Sequence, residues 1–141
     1  MTLRFYLKLY LLTVPLFFAI DMLWLGVLAS GFYRQRLGHL LADQVNWAAA
    51  LTFYLVYIAG IMIFAVVPGL RSGALGPTAL RAAGFGFFTY ITYELTNMAT
   101  LPDWPLQVVL VDTLWGMLLC TLVAVGSFAI GRRLLVRAGA V

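Results

Sequence analysis

Carboxyl groups inside apolar runs are the feature of this sequence that could do chemistry. Glu94 lies within the stretch 90–105, and Asp21 and Asp112 lie inside two other apolar stretches. A charged side chain at the centre of a bilayer costs about 2.5–3.5 kcal/mol even on the most lenient scale, so an intramembrane acid is a functional-site hypothesis by default. A buried carboxyl can hold a proton, bind a cation or act as a general acid.

Counting residues along the predicted helices places the three acids at one depth. At about 1.5 Å per residue, each lies about 20 Å from the cytoplasmic end of its helix, in the outer half of a hydrocarbon core about 30 Å thick. Aromatic and amide side chains fall at the same level or one turn away. The predicted binding cavity is lined by Asp21, Trp24, Tyr54, Tyr57, Tyr90, Tyr93, Glu94, Asn97, Asp112 and Trp115.

The predicted spans contain no Lys or Arg close to these acids. Neighbouring carboxylates in a medium of low dielectric cannot all be ionised, and such groups titrate as a unit. We therefore expect the cluster to hold protons, to bind a cation, or to pair with Arg34 or Arg36 from the loop that follows the first span. No His or Cys accompanies the acids, which disfavours zinc and copper. A hard metal ion bound by Asp21, Glu94, Asp112 and Asn97 is a minor alternative, and no metal or cofactor is assigned.

Small residues at helical spacing predict how two of the acids meet. A tight turn at residues 102–105, bounded by two prolines, makes the flanking helices antiparallel neighbours. Stripes of small residues let membrane helices pack backbone to backbone. The stripes are Ala82, Gly86, Tyr90 and Glu94 before the turn, and Asp112, Gly116, Cys120 and Ala124 after it. If the two stripes face each other, Glu94 lies against Asp112.

Composition indicates that the solvent of this chain is lipid. Of its 141 residues, 64% are hydrophobic and 10% are charged, whereas a soluble domain carries about 25% charged residues. The net charge of +4 comes from basic residues scattered at the ends of apolar runs, which argues against nucleic-acid binding. The single cysteine, Cys120, excludes a disulfide framework within one chain.

The apolar runs predict an all-α integral membrane four-helix bundle in a single domain, with spans at about 6–29, 47–67, 81–101 and 106–130. Pro68 and Gly69 are expected to end the second span, and residues 71–77 are expected to form a loop. Residues 31–46 are predicted to form a short amphipathic helix in the outer interface, either as a connector or as a lid that presents Arg34 or Arg36 to the acids.

The distribution of basic residues predicts the orientation. Four spans put both termini and the second loop on one side, together with Arg4, Lys8, Arg71, Arg81, Arg132, Arg133 and Arg137. The opposite side holds only Arg34 and Arg36. By the positive-inside rule, a multi-pass protein with both termini in the cytoplasm is predicted.

Four groups of residues carry a resemblance to a known family. They are Asp21-x-x-Trp24, Phe53-Tyr54-x-x-Tyr57-Ile58-x-Gly60, Tyr90-x-x-Tyr93-Glu94-Leu95-Thr96-Asn97 with Trp104-Pro105, and Asp112-x-x-Trp115-Gly116. Together they resemble a bacterial family of predicted four-span inner-membrane proteins that is catalogued as a domain of unknown function. The resemblance implies the fold and a location in the bacterial inner (plasma) membrane, and it implies no activity.

Several functions fit this pattern. We predict a small inner-membrane protein whose acidic and aromatic cavity binds or carries a proton, a cation or a small cationic molecule of unidentified structure. One alternative is a structural or accessory subunit whose acids only hydrogen-bond the bundle together. Another is an enzyme that modifies a lipid or isoprenoid, which is less favoured. The lipid bilayer is the expected partner, and a homodimer remains an option because four helices are few for a transport pathway.

Overall fold

The computed structural model describes residues 1–139, and within them every regular element is helical. Helices suit an apolar chain because lipid offers no partners for backbone N–H and C=O groups, which must bond within the segment. The α-helices are α1 (Leu3–Leu23), α2 (Ser30–Leu37), α3 (Trp47–Ile61), α4 (Val67–Ser72), α5 (Leu75–Thr100) and α6 (Leu106–Arg137). The predicted all-α class is confirmed.

Two π-helical turns lengthen the helices. Trp24–Leu28 extends α1, and Met62–Val66 joins α3 to α4. Three continuous helices are consequently long and apolar enough to cross a membrane: Leu3–Leu28, Trp47–Ser72 and Leu106–Arg137. Helix α5, with its many polar and small residues, is not among them. The fourth crossing, and with it the four-helix bundle, therefore stays a prediction.

The connection after the second apolar run differs from the prediction. The helix continues through Pro68 to Ser72, and α5 already begins at Leu75, so the expectations of a stop at Pro68 and of a loop over residues 71–77 were wrong. Pro68 is tolerated because it lies in the first turn of α4, next to the π-helical turn, where a missing N–H leaves few bonds unmade. The amphipathic segment is also shorter than predicted, since α2 ends at Leu37.

Gly73 ends α4 in the left-handed conformation, with φ of 67°. A Cβ in this region costs about 1–2 kcal/mol. We expect Gly73→Ala to lower the free energy of unfolding by about 1 kcal/mol, measured by thermal unfolding in detergent micelles. Gly76→Ala is the matched control, because Gly76 is helical and a Cβ there meets nothing within 4 Å. Equal effects at the two positions would contradict this explanation.

Helix α6 contacts α1, α3, α4 and α5 and supplies much of the buried core. The closest approach is to α5. A Cβ built on Gly86 would lie 2.2 Å from the carbonyl oxygen of Gly116, and one built on Gly116 would lie 2.3 Å from the ring of Tyr90. The prediction that the two small-residue stripes face each other is confirmed. This contact fixes the rotation of each helix about its own axis and therefore decides which polar side chains point inward.

A buried polar contact also joins α1 to α6, far from the turn between α5 and α6. The Thr13 hydroxyl lies 2.9 Å from the Ser127 hydroxyl, and it also donates to the carbonyl oxygen of Leu9 at 2.9 Å. Both side chains are fully buried. The hydrogen bonds of this pair are satisfied and neither residue is titratable, so we interpret the pair as a structural contact that holds α1 and α6 together.

Candidate functional site

The α5–α6 packing brings Glu94 and Asp112 together. Their carboxyl groups are close enough to interact directly. Glu94 is completely buried, and Asp112 is partly buried. The spacing of the two stripes predicts this contact, because Glu94 continues the face that carries Gly86, and Asp112 lies one turn before Gly116.

Two side chains from outside the predicted cavity donate hydrogen bonds to this carboxyl pair. Trp104, in the turn between α5 and α6, donates its indole N–H to Glu94 Oε2 at 2.8 Å. Tyr33, on α2, donates its hydroxyl to Asp112 Oδ1. Tyr33 in turn accepts a hydrogen bond from Trp24 Nε1 at 3.0 Å. The pair is therefore held from the turn on one side and from α2 on the other.

One oxygen of the pair lacks a donor. Glu94 Oε1 is buried and has no hydrogen-bond partner among the described groups. Ionised carboxylates only accept hydrogen bonds, so two of them side by side leave each other unsatisfied and repel. A single proton on either carboxyl supplies the missing donor and removes the repulsion. The geometry is thus suited to a pair that shares one proton.

Asp21 lies beside the pair. It is 3% exposed and faces Tyr54 and Trp115. It is also near enough to Asp112 for the two carboxyl groups to interact electrostatically. The Trp115 indole N–H is buried without a well-formed hydrogen bond. Its ring stacks on that of Trp24, with centroids 4.4 Å apart and planes 8° from parallel. This stack forms a wall of the cluster on the α1–α6 side.

The other predicted cavity residues occupy three kinds of position. Tyr57 and Tyr90 lie deeper, where the Tyr57 hydroxyl is 2.9 Å from Thr89 Oγ1 and 3.1 Å from Cys120 Sγ. Asn97 is partly buried one turn beyond Glu94, and its Nδ2 has no partner. Tyr93 is 60% exposed, so the structure does not bring it into the cluster. Whether these residues bind anything stays a prediction.

Helix α2 presents a phenol to the acids instead of a guanidinium. Arg36 donates to Gln107 Oε1 at 2.8 Å and lies 4.4 Å over the ring of Phe32. Arg34 is exposed, next to a recess of about 160 Å³ that it lines with Ser30 and Gly31. Helix α2 therefore delivers Tyr33 to Asp112, and neither Arg34 nor Arg36. Whether the segment acts as a connector or as a lid stays a prediction.

A sequence signal for Tyr33 existed. It lies on the apolar face of the amphipathic segment with Leu37, and a tyrosine on a buried face needs a partner for its hydroxyl. The nearest predicted acceptors were the acids. Trp104 offered a similar signal, because an indole N–H in a tight turn next to Glu94 can fold back onto the helix end. Both residues were outside the predicted cavity because neither belongs to a predicted span.

A groove of about 230 Å³ opens beside the Trp24–Trp115 stack on the outer surface of the helices. It is lined by Trp24, Val111, Leu114, Trp115 and Leu118. These side chains are apolar apart from the indole N–H groups, and none of them is a carboxyl.

A family model described as "Predicted membrane protein (DUF2177)" matches residues 6–129. No curated protein and no solved structure matches the chain. The matched range includes all four groups of residues on which the resemblance rests, from Asp21 to Gly116.

Proposed function

Because the chain belongs to a family of predicted membrane proteins of unknown function, we propose that its chemistry is proton binding by the carboxyl pair of Glu94 and Asp112. In this proposal α5 is the fourth membrane span, paired with α6. The protein lies in the bacterial inner membrane with both termini in the cytoplasm, and the basic residues at the ends of α1, α4 and α6 support that orientation. The pair then lies in the outer half of the bilayer.

The observation that carries the proposal is the contact between two carboxyls that have no basic partner among residues 1–139. The side chains that interact directly with the Glu94 carboxyl are those of Asp112 and Trp104. Those that interact directly with the Asp112 carboxyl are Glu94 and Tyr33. Neutral donors such as an indole and a phenol cannot neutralise two carboxylates. One proton held between the two oxygens leaves a single delocalised charge, which two hydrogen bonds from neutral donors can solvate.

A structural role is the alternative supported by a specific observation. Tyr33 ties α2 to α6, and Trp104 ties the turn to α5, so the cluster also fastens four parts of the chain. An amide at either acid position would fasten them equally well. Unlike amides, the acids can also bind and release a proton. Amide variants therefore separate the structural role from proton binding.

We expect infrared spectra of the protein in liposomes to contain a carbonyl band of a protonated carboxylic acid that Glu94→Gln and Asp112→Asn each remove. In either variant the amide N–H replaces the shared proton as the donor, so the remaining carboxylate stays ionised and hydrogen-bonded. The measurement is the difference spectrum between wild type and each variant at neutral pH.

Asp103→Asn is the matched control, because Asp103 is exposed in the turn between α5 and α6 and its positive φ of 54° is one that Asn also adopts. This variant should keep the band. If Glu94→Gln and Asp112→Asn both retain every carbonyl component of the wild type, the pair holds no proton and the proposal fails.

A further inference from the structure

The two side chains that donate to the carboxyl pair differ in what they can do with a proton. The indole N–H of Trp104 is a donor only, because its nitrogen has no lone pair available to accept. The phenol of Tyr33 is both donor and acceptor. A proton can therefore pass through Tyr33 but not through Trp104.

Tyr33 is also placed between the pair and the surface. It belongs to α2, which lies outside Leu3–Leu28 and the other candidate spans, and its side chain is partly buried. Trp24 donates to the Tyr33 oxygen at 3.0 Å, which orients the hydroxyl toward Asp112 and occupies one lone pair. No other donor among residues 1–139 bonds to this oxygen, so its second lone pair can accept. Arg34, the next residue along α2, is exposed.

We propose that Tyr33 is the proton relay that connects the Glu94–Asp112 pair to the aqueous phase on the α2 side. This inference rests on the proposed proton site. A hydronium ion gives its proton to the free lone pair of the Tyr33 oxygen while the phenolic proton passes to Asp112. One O–H bond forms at each acceptor as one breaks at each donor, and Tyr33 ends neutral. Release of the proton follows the reverse path.

The surroundings of Tyr33 keep its hydroxyl proton in place between transfers. Burial first, and then the hydrogen bond to Asp112, raise the pKa of the Tyr33 phenol above its usual value of 10.0, with a further contribution from the charge of Glu94. Of the two arginines of α2, Arg36 is bound to Gln107 and Arg34 is exposed. A phenol that stays neutral at physiological pH always has a proton to pass on.

The test follows hydrogen–deuterium exchange at the carboxyl pair. After rapid dilution of proteoliposomes into D₂O, the carbonyl band of the shared carboxylic acid shifts as deuterium replaces the proton. Proton transfer through a positioned side chain typically contributes about 10²–10⁴-fold in rate, so Tyr33→Phe should slow this shift by at least about tenfold. The band itself should remain, because Phe leaves the pair in place.

Two further variants make the result specific. Tyr93→Phe removes the hydroxyl of a tyrosine that lies outside the cluster, since Tyr93 is 60% exposed, and it should exchange at close to the wild-type rate. Tyr33→His restores a group that can accept and donate, and it should recover much of the lost rate. If Tyr33→Phe exchanges at an unchanged or faster rate, the proton does not pass through Tyr33 and the relay is overturned. Absence of the band from the wild type would instead sink the proton site itself.

Discussion

Gly86→Ala is expected to lower the free energy of unfolding by about 3 kcal/mol, the upper end of the usual cost of overpacking. The added Cβ would lie 2.2 Å from the Gly116 carbonyl oxygen, 2.7 Å from its carbon and 2.9 Å from the amide nitrogen of Met117. These are backbone atoms of α6, which cannot rotate away as a side chain can. The helices would have to separate along their most extensive contact.

Gly84→Ala is the matched control on the same helix. A Cβ there meets nothing within 4 Å, and Ala is favoured over Gly in a helix interior by about 1 kcal/mol, so stability should stay equal or rise. Denaturant or thermal unfolding in micelles, followed by circular dichroism, measures both variants. Gly86→Ala should also weaken the band of the shared carboxylic acid, because it moves Glu94 away from Asp112. Equal stability of the two variants would contradict the packing described for α5 and α6.

The second large effect is expected at Glu94, where Ala and Gln should behave differently. Glu94→Ala leaves the Trp104 indole N–H without its acceptor, leaves Asp112 without its partner, and opens a void in a completely buried position. One unsatisfied buried polar group costs about 1–3 kcal/mol, so a loss of about 3 kcal/mol is expected. Glu94→Gln can still accept from Trp104 and donate to Asp112, so its loss should stay within about 1 kcal/mol.

The same unfolding measurement compares the two Glu94 variants, and the infrared band adds an independent readout. We expect Gln to keep the stability and lose the band, whereas Ala loses both. If Gln destabilises the protein as much as Ala does, the carboxyl itself is needed for folding, and the structural role of the pair outweighs the proton it holds.

The contact between Glu94 and Asp112 could be predicted because it depends on two regular quantities. The helical repeat places Gly86 and Glu94 on one face, and a turn too short to allow any other arrangement makes α5 and α6 antiparallel neighbours. With the small residues facing each other, the depth and the rotation of both acids follow. Apart from this short turn, the contact can be derived without knowing the path of any loop or the position of any distant segment.

Tyr33 and Trp104 could not be placed in the same way, because each reaches the pair from a segment without a fixed helical phase. Tyr33 follows the π-helical turn Trp24–Leu28, which adds a residue to the turn and breaks the 3.6-residue count that carries positions from α1 into α2. Trp104 lies in a turn whose path depends on the positive φ of Asp103. The prediction that the helix ends at Pro68 was wrong for a related reason, because the preceding π-helical turn lets the helix continue past the proline.

The proposed depth of the carboxyl pair in the membrane has a consequence for how the site would respond to membrane voltage. Glu94 lies six residues before the end of α5, and Asp112 lies six residues after the start of α6, which is about 9 Å from the turn in both cases. In the proposed arrangement, with α5 as the fourth span, a proton that arrives from the α2 side crosses about a third of a core about 30 Å thick. One elementary charge moved across the full potential changes its energy by about 2.3 kcal/mol per 100 mV, so this partial crossing is worth about 0.8 kcal/mol. Proton occupancy then depends on the membrane potential as well as on pH, about fourfold per 100 mV.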